Sequence, residues 1–225
     1  MYLSIDLDYW FSDESPSIRG LKRILDRVKN VRNKIIIDEH HCILDHINES
    51  GSNHILHVDY HQDIVYPTLK KENITLECGS FFYFVKDKEK KNFEWFYPSY
   101  VSCVKMGLGL CMDPSYKPMT KPCFIFKDQK GKMGLPSDKQ LENVSHVGIA
   151  FSFDYLKVYD VKVFIEVVDA LIEMFGFNMI NNLFNDYKYM DDWKEGQEVL
   201  KYLEEKRYET ISDYSENSLH YSYSG

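Results

Sequence analysis

The sequence predicts an α/β protein, a three-layer sandwich around a mostly parallel central sheet. Three observations predict it. Short β-branched runs alternate with a stretch of helical periodicity over residues 2–58. The order reads β-α-β-α-β, which gives parallel strands joined by right-handed crossovers. Each early run ends in acidic or imidazole residues. In open parallel sheets, ligands gather beyond the carboxyl ends of the strands.

The first strand is read at Tyr2 to Leu7. In the segment SIRGLKRILDRVKNV, Ile18, Leu21, Ile24, Leu25 and Val28 follow helical spacing. A second strand is read at Lys34 to Ile37. His41 to Ser50 suits a short helix stopped by Gly51, and His54 to Val58 forms the third strand. Phe81 to Val85 and Phe93 to Tyr97 read as a hairpin around the charged turn KDKEKK. Residues 112–138, with Pro114, Pro118, Pro122 and Pro136, read as a long irregular loop. Another strand is expected at Val147 to Phe153. Asp160 is placed to cap a helix with the stripe Val163, Phe164, Val167, Val168, Leu171, Ile172, Phe175. A last helix is expected over 192–207. Residues 1–208 are read as a single domain and 209–225 as a polar tail.

At 225 residues one core can still grow to fill the domain. The formal net charge of −8 argues against a nonspecific nucleic-acid surface and a basic membrane-binding patch. The first ten residues, MYLSIDLDYW, hold two carboxylates where a secretory signal has a cationic start and an apolar run. The five cysteines are odd in number and lack CxxC spacing, which reads as reduced thiols in a cytoplasmic protein.

Six of the eight histidines lie between His40 and His61. The three early strands end in Asp6-Leu7-Asp8, in Asp38-Glu39-His40-His41 and in Asp59-Tyr60-His61-Gln62-Asp63. In extended chain, residues two apart share a side. Asp6 with Asp8, and Asp59 with His61 and Asp63, can therefore face one point. Carboxylates crowded in this way repel one another and take up protons unless cations neutralise them. Two divalent ions about 3.5–4 Å apart, bridged by Asp6 and Asp59, would do so. Four carboxylates with two imidazoles favour an oxygen-seeking ion such as manganese over zinc.

SIDLDYW, DEHHCIL and HVDYHQD together resemble the arginase/deacetylase superfamily of binuclear metallohydrolases, and most closely the peptide arginases of ribosomal-peptide biosynthesis. The resemblance covers residues 3–63. It extends more loosely to ECGSFFYF, similar to a substrate-loop segment, and AFSFDYL, similar to a late strand-end segment. It implies that Asp59, His61, Asp63, Asp6, Asp8 and His40 hold two Mn2+ per chain. It further implies that Asp63 moves a proton from water to the leaving amine, and that arginine side chains in a peptide become ornithine. Asp154, after the late strand, is a candidate to bind the guanidinium through charge-assisted hydrogen bonds. In ordinary arginases the DxD strand follows the DxHxD strand, whereas here it comes first.

Two other readings compete. A deacetylase of the same superfamily would share the cluster and differ in its pocket. A haloacid-dehalogenase-type phosphatase also opens with a strand ending in DxD, and Asp191-Asp192 would supply its late acidic pair. That reading leaves the DEHH and DYHQD segments without a purpose.

Overall fold

All strand pairings among the described residues of the computed structural model are parallel. The structure describes residues 1–11, 17–64, 74–98 and 125–220, with side chains as far as residue 207. β1 (Tyr2–Asp6), β2 (Asn33–Ile37), β3 (His54–Val58), β4 (Asn92–Tyr97), β5 (Asp128–Met133) and β6 (His146–Ala150) form one sheet. Their order is β2-β6-β1-β3-β4-β5, so the α/β class and the parallel sheet stand.

β1 lies between β6 and β3 and is buried along its whole length. The chain leaves β1 for β2 on one side and returns to β3 on the other. Connections that diverge in this way open a crevice at the carboxyl edge of the sheet. The register pairs Tyr2 with Ile55 and Ser4 with His57. Tyr2, Ser4 and Asp6 therefore share one face with Ile55, His57 and the residue that follows β3, Asp59.

That face is covered by a core cluster. Tyr2, Ile55, Phe93, Trp95 and Tyr97 of the strands pack with Ile43, Ile47, Phe81 and Phe82. Ile43 ends the 3-10 turn His40–Ile43, and Ile47 lies in α2 (Leu44–Glu49). Gly51, at φ 61°, follows α2 in the left-handed region where a glycine is at ease. At Gly148 a Cβ would sit 2.4 Å from the Tyr2 hydroxyl oxygen, so this strand position excludes any side chain. The helix α1 (Arg19–Val28) buries Leu21, Ile24, Leu25 and Val28 as the spacing predicts.

Three expectations change. Phe81–Phe84 is a 3-10 turn, not a strand, and the hairpin does not form, because β4 pairs in parallel with β3 and β5. A strand would send neighbouring rings to opposite faces, whereas Phe81 and Phe82 both enter the one core cluster. The expected loop 112–138 contains β5 and the short helix α3 (Asp138–Leu141), and residues 112–124 lie outside the described residues. β5 escapes a periodicity reading because it is a lysine-rich edge strand, DQKGKM, that buries only Gln129 and Gly131.

Packing divides the chain into two compact units, Met1–Tyr159 and Asp160–Gly225, where the sequence shows no boundary. The second unit holds α4 (Val161–Phe175), α5 (Phe177–Asp186) and α6 (Lys194–His220). Asp160 caps α4, its side chain accepting from the Lys162 and Val163 amides at 3.0 and 3.3 Å. α6 runs past the expected end at 207 as far as His220, a stretch without glycine or proline to stop it.

Candidate metal centre

The strand ends turn sharply, and the turns bring the acidic groups together. Asp6 ends β1 in extended backbone and caps the 3-10 turn Leu7–Tyr9, its Oδ1 accepting from the Asp8 amide at 3.1 Å. After β3, the His61 amide donates to Asp59 Oδ1 at 2.6 Å. Asp63 sits at φ 54°, an unusual conformation for a residue with a side chain. The convergence expected from alternating extended chain is thus achieved by tight turns. His40 opens the 3-10 turn after β2.

All six residues read as ligands meet in one place. His40 Nδ1 lies 3.0 Å from Asp6 Oδ2, 3.0 Å from Asp59 Oδ2 and 3.1 Å from Asp63 Oδ2. His61 Nδ1 lies 3.0 Å from Asp8 Oδ2 and 3.8 Å from Asp59 Oδ1. One oxygen of Asp59 thus faces His40 and the other faces His61. Asp6 Oδ2 likewise faces His40, and its Oδ1 is held by the Asp8 amide as Asp59 Oδ1 is held by the His61 amide. Two overlapping groups of possible ligands share Asp59, namely His40, His57, Asp59 and Asp8, Asp59, His61.

A chain of hydrogen bonds sets the tautomer of His40. His57 Nε2 lies 3.1 Å from the His61 carbonyl oxygen. A carbonyl only accepts, so Nε2 carries the proton and His57 Nδ1 is bare. His57 Nδ1 then accepts from the Ser4 hydroxyl at 3.3 Å, and Ser4 Oγ accepts from His40 Nε2 at 2.8 Å. In neutral His40 the Nδ1 lone pair is left facing three carboxylate oxygens. His40 Nδ1 and Asp59 Oδ2 are buried and make no aligned hydrogen bond. A lone pair facing anions is repulsive unless a proton or a metal cation lies between them. Around an octahedral ion with bonds of about 2.1 Å, neighbouring ligand atoms sit about 3 Å apart. The spacing around His40 Nδ1 matches this, so these residues fit a cation.

The electrostatics agree. Burial, together with the neighbouring carboxylates, raises Asp8 and Asp59 well above the usual carboxylate range. Burial also raises Asp63, against the opposing influence of His40 and His61. Burial disfavours charge on His40, but Asp6, Asp59 and Asp63 outweigh it and push its pKa well up. For His61, Asp8 and its neighbours overcome burial and push the pKa up to about 10. His57 is pushed well down by burial and by the charge on His40, which agrees with its neutral role in the chain.

A cavity of about 510 Å3 opens on this cluster. Asp6, Asp8, His61 and Asp63 line part of it, and Glu39, His41, Leu76, Glu77, Cys78 and Tyr155 line most of the rest. Asp154 is exposed in the 3-10 turn Phe153–Tyr155, and the cavity wall there is formed by Tyr155. Trp10, Trp95 and Tyr97 belong to the core.

Three contributors escape motif reading. Ser4 lies inside a strand and gives no motif signal. Ser152, at φ 48°, donates from Oγ to Asp6 Oδ2 at 2.5 Å. Its place just past the end of β6 was the available signal. Glu77 lies in the ECGS segment but belongs to no ligand spacing. Comparison of the chain with protein-family models, with curated proteins and with solved structures finds no match.

Proposed function

We propose that the chain is a binuclear manganese hydrolase of a guanidinium C–N bond, converting arginine side chains in a peptide to ornithine and urea. The proposal includes an arginase-like three-layer sandwich with the DxD pair on its first strand. The observation that carries it is the division of Asp59 between His40 and His61, each with its own further carboxylates.

Two divalent ions, when bound, supply an activated water and neutralise the crowded carboxylates. His40, Asp6, Asp59 and Asp63 would hold one ion, and His61, Asp8 and Asp59 the other. The substrate carbon must come to rest at the part of the cavity lined by Asp8, His61 and Asp63. Glu77 lines the same cavity and accepts hydrogen bonds from a planar cation, while Leu76 and Tyr155 offer apolar contact for its methylene stem. Asp154 adds a further carboxylate beside Tyr155 in sequence. Water adds to the guanidinium carbon, the bond to the side-chain nitrogen breaks, and that nitrogen leaves with a proton delivered by Asp63. An acidic cavity disfavours a phosphate ester, which weighs against the phosphatase reading.

The test is to incubate manganese-loaded protein with arginine-containing peptides and with free arginine, following urea release and peptide mass. Ornithine formation that needs manganese and is lost in Asp63→Asn supports the proposal. Release of acetate from acyl-lysine peptides, with arginine untouched, would replace it by the deacetylase reading.

A further inference from the structure

We propose that Glu39, His41 and Cys78 form a separate cation site on the cavity wall, suited to a borderline-soft ion such as zinc. His41 Nδ1 lies 3.2 Å from Glu39 Oε2 and 3.4 Å from Cys78 Sγ. One ligand atom from each of the three residues falls within 4.8 Å of both others. A tetrahedral ion with bonds of about 2.0–2.3 Å places its ligand atoms roughly 3.3–3.7 Å apart, close to the spacing seen.

The local backbone explains the arrangement. Glu39 is extended and His40 and His41 begin a 3-10 turn. His40 is fully buried in the carboxylate cluster, while its two neighbours line the cavity. One short segment thus serves two sites. Cys78 comes from the stretch 74–80 that leads into the Phe81–Phe84 turn.

The ligand set differs in kind from the buried cluster. It contains a thiol, it is open to solvent at Glu39, and it has only one carboxylate. A thiolate ligand favours zinc over manganese far more than carboxylates and imidazoles do. On binding, the Cys78 thiol proton passes to solvent, and thiolate plus carboxylate balance the ion's two charges. The fourth position is open to water or to an incoming group. A bound ion would tie the wall segment holding Leu76, Glu77 and Cys78 to the segment after β2, and it would occupy part of the cavity.

Cobalt(II) is the probe, because cobalt bound to a thiolate shows a charge-transfer band in the near ultraviolet and none of the buried cluster's ligands is a thiol. Full-length protein preloaded with manganese is titrated with cobalt, with bound metal counted after gel filtration. The expected result is a thiolate band that saturates at one cobalt per chain and begins to grow before any manganese is released. The band should be lost in Cys78→Ser, persist in Cys42→Ser, and need at least about tenfold more cobalt in His41→Gln. Three results would overturn the site: no band in the wild type, a band that survives Cys78→Ser, or a band that grows only as manganese leaves. If Cys78→Ser does not fold, an unchanged titration in His41→Gln overturns it equally. A thiolate band in protein that never takes up manganese would leave this site standing while the binuclear reading fell.

Discussion

On the proposed function, the two histidines of the cluster hold ions in different settings. His40 is fully buried, with three carboxylate oxygens at 3.0–3.1 Å and a hydrogen-bond chain fixing its ring. His61 is one-third exposed, with one carboxylate at 3.0 Å and the shared Asp59 at 3.8 Å, and it borders the cavity. A buried, over-determined ring holds an ion tightly and makes it part of the fold. An exposed ring with fewer partners holds an ion that exchanges and meets substrate. The difference suggests a division of labour: the His40 half anchors, and the His61 half faces the chemistry.

The largest effect should come from the residue common to both halves. Asp59→Ala removes an oxygen from each, so metal content should fall close to zero. Arginine hydrolysis should fall by on the order of 1,000-fold or more, several kcal/mol of barrier. Metal analysis alongside urea release checks it. A variant that kept both ions would break the bridging assignment, whatever its activity.

The halves are then separated one at a time. His40→Ala leaves three buried carboxylates without their common partner, a loss of about 3 kcal/mol or more, and should lower the melting temperature by many degrees. His61→Ala should keep the fold and about one ion per chain, since the His40 half is intact. Calorimetry with metal counting distinguishes the two variants. Equal losses in both would remove the proposed asymmetry.

The sequence and the structure agree best where chemistry sits at strand ends. Asp6, Asp8, His40, Asp59, His61 and Asp63 were legible because acidic and imidazole residues directly follow apolar runs, and the structure brings all six together. What the sequence concealed has local physical causes. Phe81 and Phe82 look like strand residues because strands and buried turns use the same rings. β5 was hidden because an edge strand buries so little that its pattern vanishes. Ser4 and Ser152 were hidden because a hydroxyl that steadies a ligand has no characteristic spacing, and only the fold shows what lies 3 Å away.

A smaller effect follows from protonation. Below about pH 6.5, the unfolded value, a histidine whose folded pKa is raised contributes its full stability, which is lost as pH rises through the folded value. For His61 that folded value is about 10, since Asp8 and its neighbours outweigh burial. Asp8, Asp59 and Asp63, raised by burial, act with the same sign at lower pH: their stability is present below the unfolded carboxylate range and lost above it. Ion-free protein should therefore lose stability as pH rises from about 6.5 to about 10. Manganese reverses the trend, because its ligands must shed protons to bind it. The stability gained on adding manganese, read from thermal unfolding, should grow with pH, reaching about 2.7 kcal/mol where the free ion is at 100 times its dissociation constant. An increment that shrank with pH would show that manganese binds elsewhere.

The finest distinction lies in the hydrogen-bond chain that fixes the His40 ring. Ser4→Ala removes the hydroxyl that accepts from His40 Nε2 and donates to His57 Nδ1. Two buried nitrogens then lose their partner, at about 1–3 kcal/mol, and the His40 ring is free to protonate at either nitrogen. Affinity for the anchored ion should fall about 10–100-fold, the usual scale when a group that orients a ligand is removed, while the ion at His61 should bind as before. Stepwise manganese titration resolves the two events. If Ser4→Ala weakened both steps alike, the chain would be acting on the fold as a whole and not on His40, and the contrast between the two histidines would reduce to their difference in burial.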